Sequence, residues 1–316
     1  MEAKLIKLLL LFLLPLLVLF GIAEYCMSKA DNAYTIKRKT LDKKAESLEL
    51  VFMGNSQTYY SINPALFKEP SLNLANLGQP VKYDCEILLK YLPKLKHLKL
   101  VLLSVEYLTL FYDVETNPPR GYLYYQYWGI DDASMVGTDI QKYSKLIMFK
   151  PSTSLNIFFE MIKQKKFNIR FQAENMTDDG FDTLTRPADT LHFEEKAATV
   201  LERWGNKIMS QKYYSRNARM LESLVRILEE RKIKVLFISS PVRPGFFLRY
   251  DSSYTNKTSK FINYITGKYD NTAYVDFTKD MRFLLADFAD PNHLNANGAS
   301  RFSTILRDEY IMPMLH

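Results

Sequence analysis

One serine and one histidine in this chain have surroundings that fit nucleophilic chemistry. Ser56 lies in Val51-Phe52-Met53-Gly54-Asn55-Ser56-Gln57-Thr58, where an apolar run stops at a glycine and then presents the serine. A serine hydroxyl is a weak nucleophile near neutral pH unless a base takes its proton and a third group holds that base. The chain has four histidines, which narrows the choice of base. His97 sits among lysines, His192 in an acidic segment and His316 at the carboxyl end, and only His293 has a carboxylate, Asp290, three residues upstream. Base and orienter would then come from one short loop, Asp290-Pro291-Asn292-His293. The same residues also fit plainer roles: Ser56 or Thr58 as a helix N-cap, Asp290 as a turn residue before proline, His293 as a helix-entry residue.

The elements that must position these groups follow an alternating plan. Residues 48–53 read as a buried strand ended by Gly54, and a serine just past a strand's carboxyl end lies where open α/β sheets form their ligand crevice. A helix starting there would aim backbone N–H groups at developing negative charge. Residues 71–77 read as a short second strand, 82–92 as a helix and 99–105 as a third strand. Residues 213–231 read as an amphipathic helix, 235–239 as a strand, 261–269 as a helix, 273–277 as a last strand and 297–312 as a terminal helix. Strands alternating with helices predict a parallel sheet covered on both faces.

Gly54-Asn55-Ser56 beside the first strand, together with Asp290-x-x-His293 before the last helix, resembles the SGNH/GDSL hydrolase superfamily over about residues 46–316. The resemblance implies a flavodoxin-like three-layer α/β/α fold and a catalytic triad of Ser56, His293 and Asp290. It also implies an oxyanion hole drawing on Ser56 and on Gly78 of Leu74-Ala75-Asn76-Leu77-Gly78-Gln79, and no cofactor. The chain departs from the family pattern in two places: Asn55 replaces the usual aspartate, and Ser104-Val105-Glu106-Tyr107 stands where a Gly-x-Asn-Asp block follows the third strand.

The amino end predicts a membrane. Residues 8–23 form an unbroken apolar stretch behind Lys4 and Lys7, long enough, counted from Leu5, to cross a bilayer as a helix. Its basic flank predicts a single-pass signal anchor (1–26) with the carboxyl part outside the cell; a cleavable signal peptide is the other reading. Residues 27–46 read as a charged juxtamembrane stalk or a helix leaving the membrane, with a solvated connector as the plainer reading, and 47–316 as the hydrolase-like domain with an aromatic-rich insertion at about 109–210. The run Gly121-Tyr122-Leu123-Tyr124-Tyr125-Gln126-Tyr127-Trp128 suits sugar stacking, although such clusters are more often core.

With 47% hydrophobic and 24% charged residues the chain is globular. Its net +7 is scattered lysine with no nucleic-acid motif, which favours an anionic surface. Cys26 and Cys85 build neither a disulfide framework nor a metal-ligand cluster. The expected function is a serine-dependent ester hydrolase acting on an acylated envelope glycan or lipid-linked sugar. Two alternatives stand beside it. One is an O-acyltransferase of a surface polysaccharide, working with a membrane-bound acyltransferase partner, because the layout resembles the membrane-tethered proteins of teichoic-acid D-alanylation. The other is a catalytically silent glycan-binding or scaffold protein.

Overall fold

The computed structural model describes residues 2–113, 119–131, 140–184 and 193–315. It forms two units: an anchor unit of Met1–Thr35 and Pro118–Glu174, and a sheet unit of Ile36–Asn117 and Asn175–His316. His192 and His316 lie outside the described residues, as does part of the expected insertion.

Five parallel strands make the central sheet: β1 (Leu50–Met53), β2 (Ser71–Asn73), β3 (Leu100–Ser104), β4 (Lys234–Ser239) and β5 (Thr272–Asp276). Their order is β2-β1-β3-β4-β5, with Met53 level with Leu103 and Ser104 level with Ile238. This is the flavodoxin-like order, and its direction reverses between β1 and β3, which opens a crevice at their carboxyl ends. Both faces of β1 and β3 are buried, which is why these strands read as continuous apolar runs and not as alternation. A hairpin of β6 (Phe288–Asp290) and β7 (His293–Leu294) lies outside the sheet and pairs Asp290 with His293.

The helices, in chain order, begin with α1 (Glu2–Lys29), α2 (Ala33–Lys44), α3 (Ser56–Ser61) and α4 (Val81–Tyr91). The anchor unit adds α5 (Pro119–Trp128), α6 (Ile140–Tyr143), α7 (Lys145–Met148) and α8 (Pro151–Gln164). The sheet unit continues with α9 (Phe193–Arg203), α10 (Tyr214–Glu230), α11 (Pro244–Phe247), α12 (Ser252–Lys268) and α13 (Ala296–Ile305). On one side of the sheet Leu50, Phe52, Leu102 and Ile238 pack with Phe302 of α13 and with Phe277. On the other, Phe237 of β4 meets Phe261 of α12, with ring centroids 6.5 Å apart. The terminal helix expected over 297–312 changes pitch: after α13 the chain winds into a wider π-helical stretch over Leu306–Ile311.

Two expectations are corrected, and one choice between readings is decided. The stalk at 27–46 is not a solvated connector. Residues 27–29 finish α1, and α2 is helix with Ile36, Lys37 and Leu41 buried. Its many cations suggested solvation, but Lys37 is fully enclosed: its ammonium donates to Ala75 O and lies 4.4 Å from the centre of the Tyr59 ring. Burial pushes the Lys37 pKa well below the usual lysine range, and Asp182 offsets part of that. At 121–128 the plainer of the two readings holds, core and not a stacking platform. Tyr122, Tyr124, Tyr127 and Trp128 are buried, with Tyr34 stacked on Tyr127 at 5.6 Å and edge-on to Tyr124 at 5.3 Å, so these rings form the anchor unit's own core. The insertion at 109–210, finally, is neither irregular nor one piece. It contains α5 to α9, and only its stretch Pro118–Glu174 belongs with α1, while the residues before Pro118 and those from Asn175 belong to the sheet unit.

Lys37 supports the loop after β2 from below, so Lys37→Met should leave the Ala75 carbonyl without its donor. The expected cost is about 1–3 kcal/mol, the usual penalty for an orphaned buried polar group. Thermal and urea unfolding measure it, and an unchanged midpoint would contradict this account of the helix.

Candidate active site

The serine turn is built by steric necessity. Gly54 has φ of +141°, and a Cβ there would collide with the Ser104 hydroxyl on β3 and come within 2.9 Å of Thr58 Oγ1. Only glycine lets β1 end so close to β3. Asn55 is the N-cap of α3: its side chain accepts from the Gln57 amide at 3.0 Å. Ser56 is therefore the first residue of α3, where a helix leaves backbone N–H groups without intrahelical acceptors.

A helix of six residues cannot hold its own orientation, and two side chains fix its far end. Asn73 at the end of β2 donates to Thr58 O at 3.0 Å and Ile62 O at 2.9 Å, and accepts from the Ala75 amide at 3.0 Å. From α13, Ser303 Oγ contacts Ser61 O at 3.2 Å and accepts from the Asn63 amide at 2.9 Å. The loop after β2 lies along the serine turn, since the Asn76 amide donates to Gly54 O at 3.0 Å. Gly78 follows in that loop with φ of +54°, half-buried, in a left-handed conformation that glycine adopts without strain.

From the far end of the chain, the β6–β7 hairpin brings His293 to Ser56. His293 Nε2 lies 2.8 Å from Ser56 Oγ, and its Nδ1 lies 2.9 and 3.0 Å from the two oxygens of Asp290. Asp290 Oδ1 also accepts from the backbone amides of His293 (3.0 Å) and Asn292 (3.2 Å), so the carboxylate folds its own loop as well as meeting the ring. A carboxylate is only an acceptor, so the neutral imidazole carries its proton on Nδ1 and turns the Nε2 lone pair toward the serine. The Tyr60 ring meets the imidazole edge-on at 5.4 Å. The hairpin is held from two sides: the Arg243 amide donates to Pro291 O at 3.1 Å, and Asn295 caps α13 through the amides of Asn297 and Gly298. The three residues singled out for chemistry thus form one hydrogen-bonded relay. His97 is exposed before β3.

Asp84 and Glu106 are two buried carboxyls to which the sequence alone assigned no role. Asp84 of α4 accepts on Oδ1 from the Gly54 amide (2.9 Å) and from Gln79 Nε2 (2.6 Å), which ties the serine turn to the residue after Gly78. Burial pushes its pKa up to about 7 against the opposing pull of those two donors. Its signal was present: an acid between Val81 and Leu88 on the apolar face of an amphipathic helix. Glu106, two residues past β3, turns to β4 and accepts from the Ser240 amide (3.1 Å) and hydroxyl (2.6 Å). Burial raises it to about 7 as well, with the Ser240 bonds opposing and Asp276 adding to the rise.

A protein-family model with no descriptive name matches residues 194–314, a span that contains Asp290 and His293 and not Ser56. Among curated proteins, none matches this chain. Solved structures similar to it include a protein described as a platelet activating factor from Streptococcus pneumonia (11% identity, 97% of this chain and 98% of the other, TM-score 0.42). Also similar are a protein described as an acylhydrolase from Bacteroides fragilis (12%, 88% and 97%, 0.42) and a GDSL-like lipase from Bacteroides thetaiotaomicron (11%, 87% and 97%, 0.40). These likenesses are distant, and the site stands on its own distances.

The raised Asp84 pKa fixes a sign. Between about pH 4 and pH 7 the folded protein keeps a proton on Asp84 that the unfolded chain has released, so this group makes stability fall as pH rises through that window. Asp84→Asn still accepts from Gly54 and Gln79 but does not titrate. Relative to the parent it should gain stability from pH 4 to pH 8, by about 1.4 kcal/mol per tenfold change in proton affinity at most. Urea unfolding across that range checks this, and parallel curves for the two proteins would contradict it.

Proposed function

We propose that the protein is a serine-dependent ester hydrolase in which Ser56 is the nucleophile, His293 the general base and acid, and Asp290 the group that orients the imidazole. The observation that carries this reading is the continuous relay Ser56 Oγ, His293 Nε2, His293 Nδ1, Asp290, with every link between 2.8 and 3.0 Å. Ser56 Oγ attacks the ester carbonyl carbon while its proton passes to His293 Nε2, and the imidazolium is stabilised by Asp290. The tetrahedral intermediate collapses, the C–O bond to the alcohol breaks, and His293 returns the proton to the departing oxygen. Water, deprotonated by His293, then attacks the acyl-serine; the acyl C–Oγ bond breaks, His293 returns the proton to Ser56 Oγ, and the acid leaves. The backbone N–H groups of Ser56 and Gly78 are the proposed donors to the oxyanion.

The proposed substrate is an acylated envelope glycan or lipid-linked sugar, met on the outer side of a membrane to which α1 tethers the chain. The support is α1 itself: Lys4–Lys29 is long and apolar enough to cross a membrane, a test that an uncleaved anchor and a signal sequence both pass. Transfer of the acyl group to a sugar hydroxyl would need a wall that excludes water from the acyl-serine. The aromatic run 121–128 of the insertion, a candidate for such a wall, is enclosed in the anchor unit's core, so hydrolysis is the favoured reading.

Ser56→Ala and His293→Ala should each lower kcat for acetyl-ester hydrolysis by about a thousandfold or more, and Asp290→Asn by a similar factor through the wrong tautomer. Steady-state kinetics with p-nitrophenyl acetate measure this, and parental rates in any of the three would contradict the assignment. Sidedness is checked on intact spheroplasts. The sheet unit should be digested by added protease, and its protection would place it inside the cell.

A further inference from the structure

We propose that α8 is a second membrane contact, a helix that lies in the headgroup region of an anionic bilayer beside the point where α1 leaves it. The inference rests on reading α1 as a membrane span. Every residue from Lys4 to Ile22 on α1 is exposed, and packing begins only at Ala23. Nineteen to twenty residues at about 1.5 Å each match the roughly 30 Å hydrocarbon core, so Ala23 onward stands at headgroup depth. Glu24, directly past the apolar stretch, accepts from the Lys145 and Leu146 amides at 2.6 and 3.1 Å and from the Ser144 hydroxyl at 2.9 Å, which pins α7 to that level.

At the same level α8 is fastened to α1. Ile157 and Met161 of α8, with Ile169 beyond it, form one buried cluster with Cys26, Met27 and Ala30 of α1. Cys26 lies four residues beyond Ile22, about 6 Å along the axis, and the headgroup zone is about that deep on each side. This fixes one stripe of α8 inward and leaves another outward. Leu155, Phe159 and Ile162, spaced i, i+4 and i+7, are 56, 65 and 73% exposed, and Phe167 just past the helix is 61% exposed. Asn156, Glu160 and Lys163 form the polar side.

A soluble protein seldom leaves such a stripe in water, and the surrounding charge says what covers it. The segment 140–170 holds seven cations, among them Lys163, Lys165 and Lys166, and one carboxylate, Glu160. It therefore carries a surplus of six where the whole chain carries +7. Apolar side chains flanked by lysines, continuous with a span, fit acyl chains and anionic headgroups. The catalytic chemistry plays no part in this argument.

The test uses the full chain, inserted singly into lipid nanodiscs of equal phosphatidylcholine and phosphatidylglycerol. Both native cysteines are buried, so an environment-sensitive dye can be attached to Phe159→Cys or Ile162→Cys, with Asn156→Cys as the control. The expected result is several-fold stronger quenching at 159 and 162 by headgroup-level nitroxide lipids, and weaker quenching by iodide, than at 156. Charge reversal at Lys163, Lys165 and Lys166 should reduce the lipid quenching in these discs and not in phosphatidylcholine alone. Equal iodide quenching at all three positions overturns the proposal. A blue-shifted dye that lipid nitroxides do not reach overturns it too, because protein then covers the stripe. Lipid quenching that ignores charge reversal overturns the anionic preference. Extraction of the parent chain from liposomes by alkaline carbonate would remove the span on which the proposal rests, whereas a retained chain with a water-exposed dye refutes α8 alone.

Discussion

The hydrogen bond from Ser56 to His293 joins positions 237 residues apart in the chain, and most of the sheet unit can be read as the means of closing it. A hydroxyl and an imidazole meet at 2.8 Å only if the two backbones that carry them are each held to a fraction of an ångström. On the serine side that is done by β1, buried between β2 and β3, and by a six-residue helix fastened at both ends. On the histidine side it is done by a hairpin whose own carboxylate, Asp290, folds the loop and holds the ring.

Beneath the relay lies a layer of buried polar groups that would be costly anywhere else. Asp84, Asn73 and Lys37 are all enclosed, and each holds backbone belonging to the serine turn, α3 or the loop that carries Gly78. Their side chains replace the backbone ladder where the parallel strands end and the turns begin, because main-chain groups buried there need partners that regular structure does not provide. The cost shows in the proton affinities. Burial raises Asp84 and lowers Lys37, so the fold keeps these groups against their preference for water.

How far the sequence could be read follows from which signals are local. Leu50–Met53, Leu100–Ser104 and Lys234–Ser239 are short, mostly apolar runs, and a covered parallel sheet is the place for them. Ser56 was legible because its loop ends a strand of that sheet, and Asp290 and His293 because so few histidines compete and His293 has a carboxylate three residues upstream. What was not legible depends on long-range packing. The Lys-rich 33–44 read as solvated because its charges are local, while the Tyr59 ring and Ala75 carbonyl that accept Lys37 are not. The tyrosines of 121–128 read as core or as a stacking surface, because nothing near them in sequence announces Tyr34. Asp84 went unnoticed because its meaning is a bond to Gly54, 30 residues away.

The central claim is that the relay makes Ser56, and no other hydroxyl, nucleophilic. Peptide mass spectrometry after reaction with a fluorophosphonate tests it most directly. The account predicts a single adduct on the peptide containing Ser56, and its loss in His293→Ala although Ser56 is still present. An adduct on another residue, or undiminished labelling of Ser56 without His293, would contradict it.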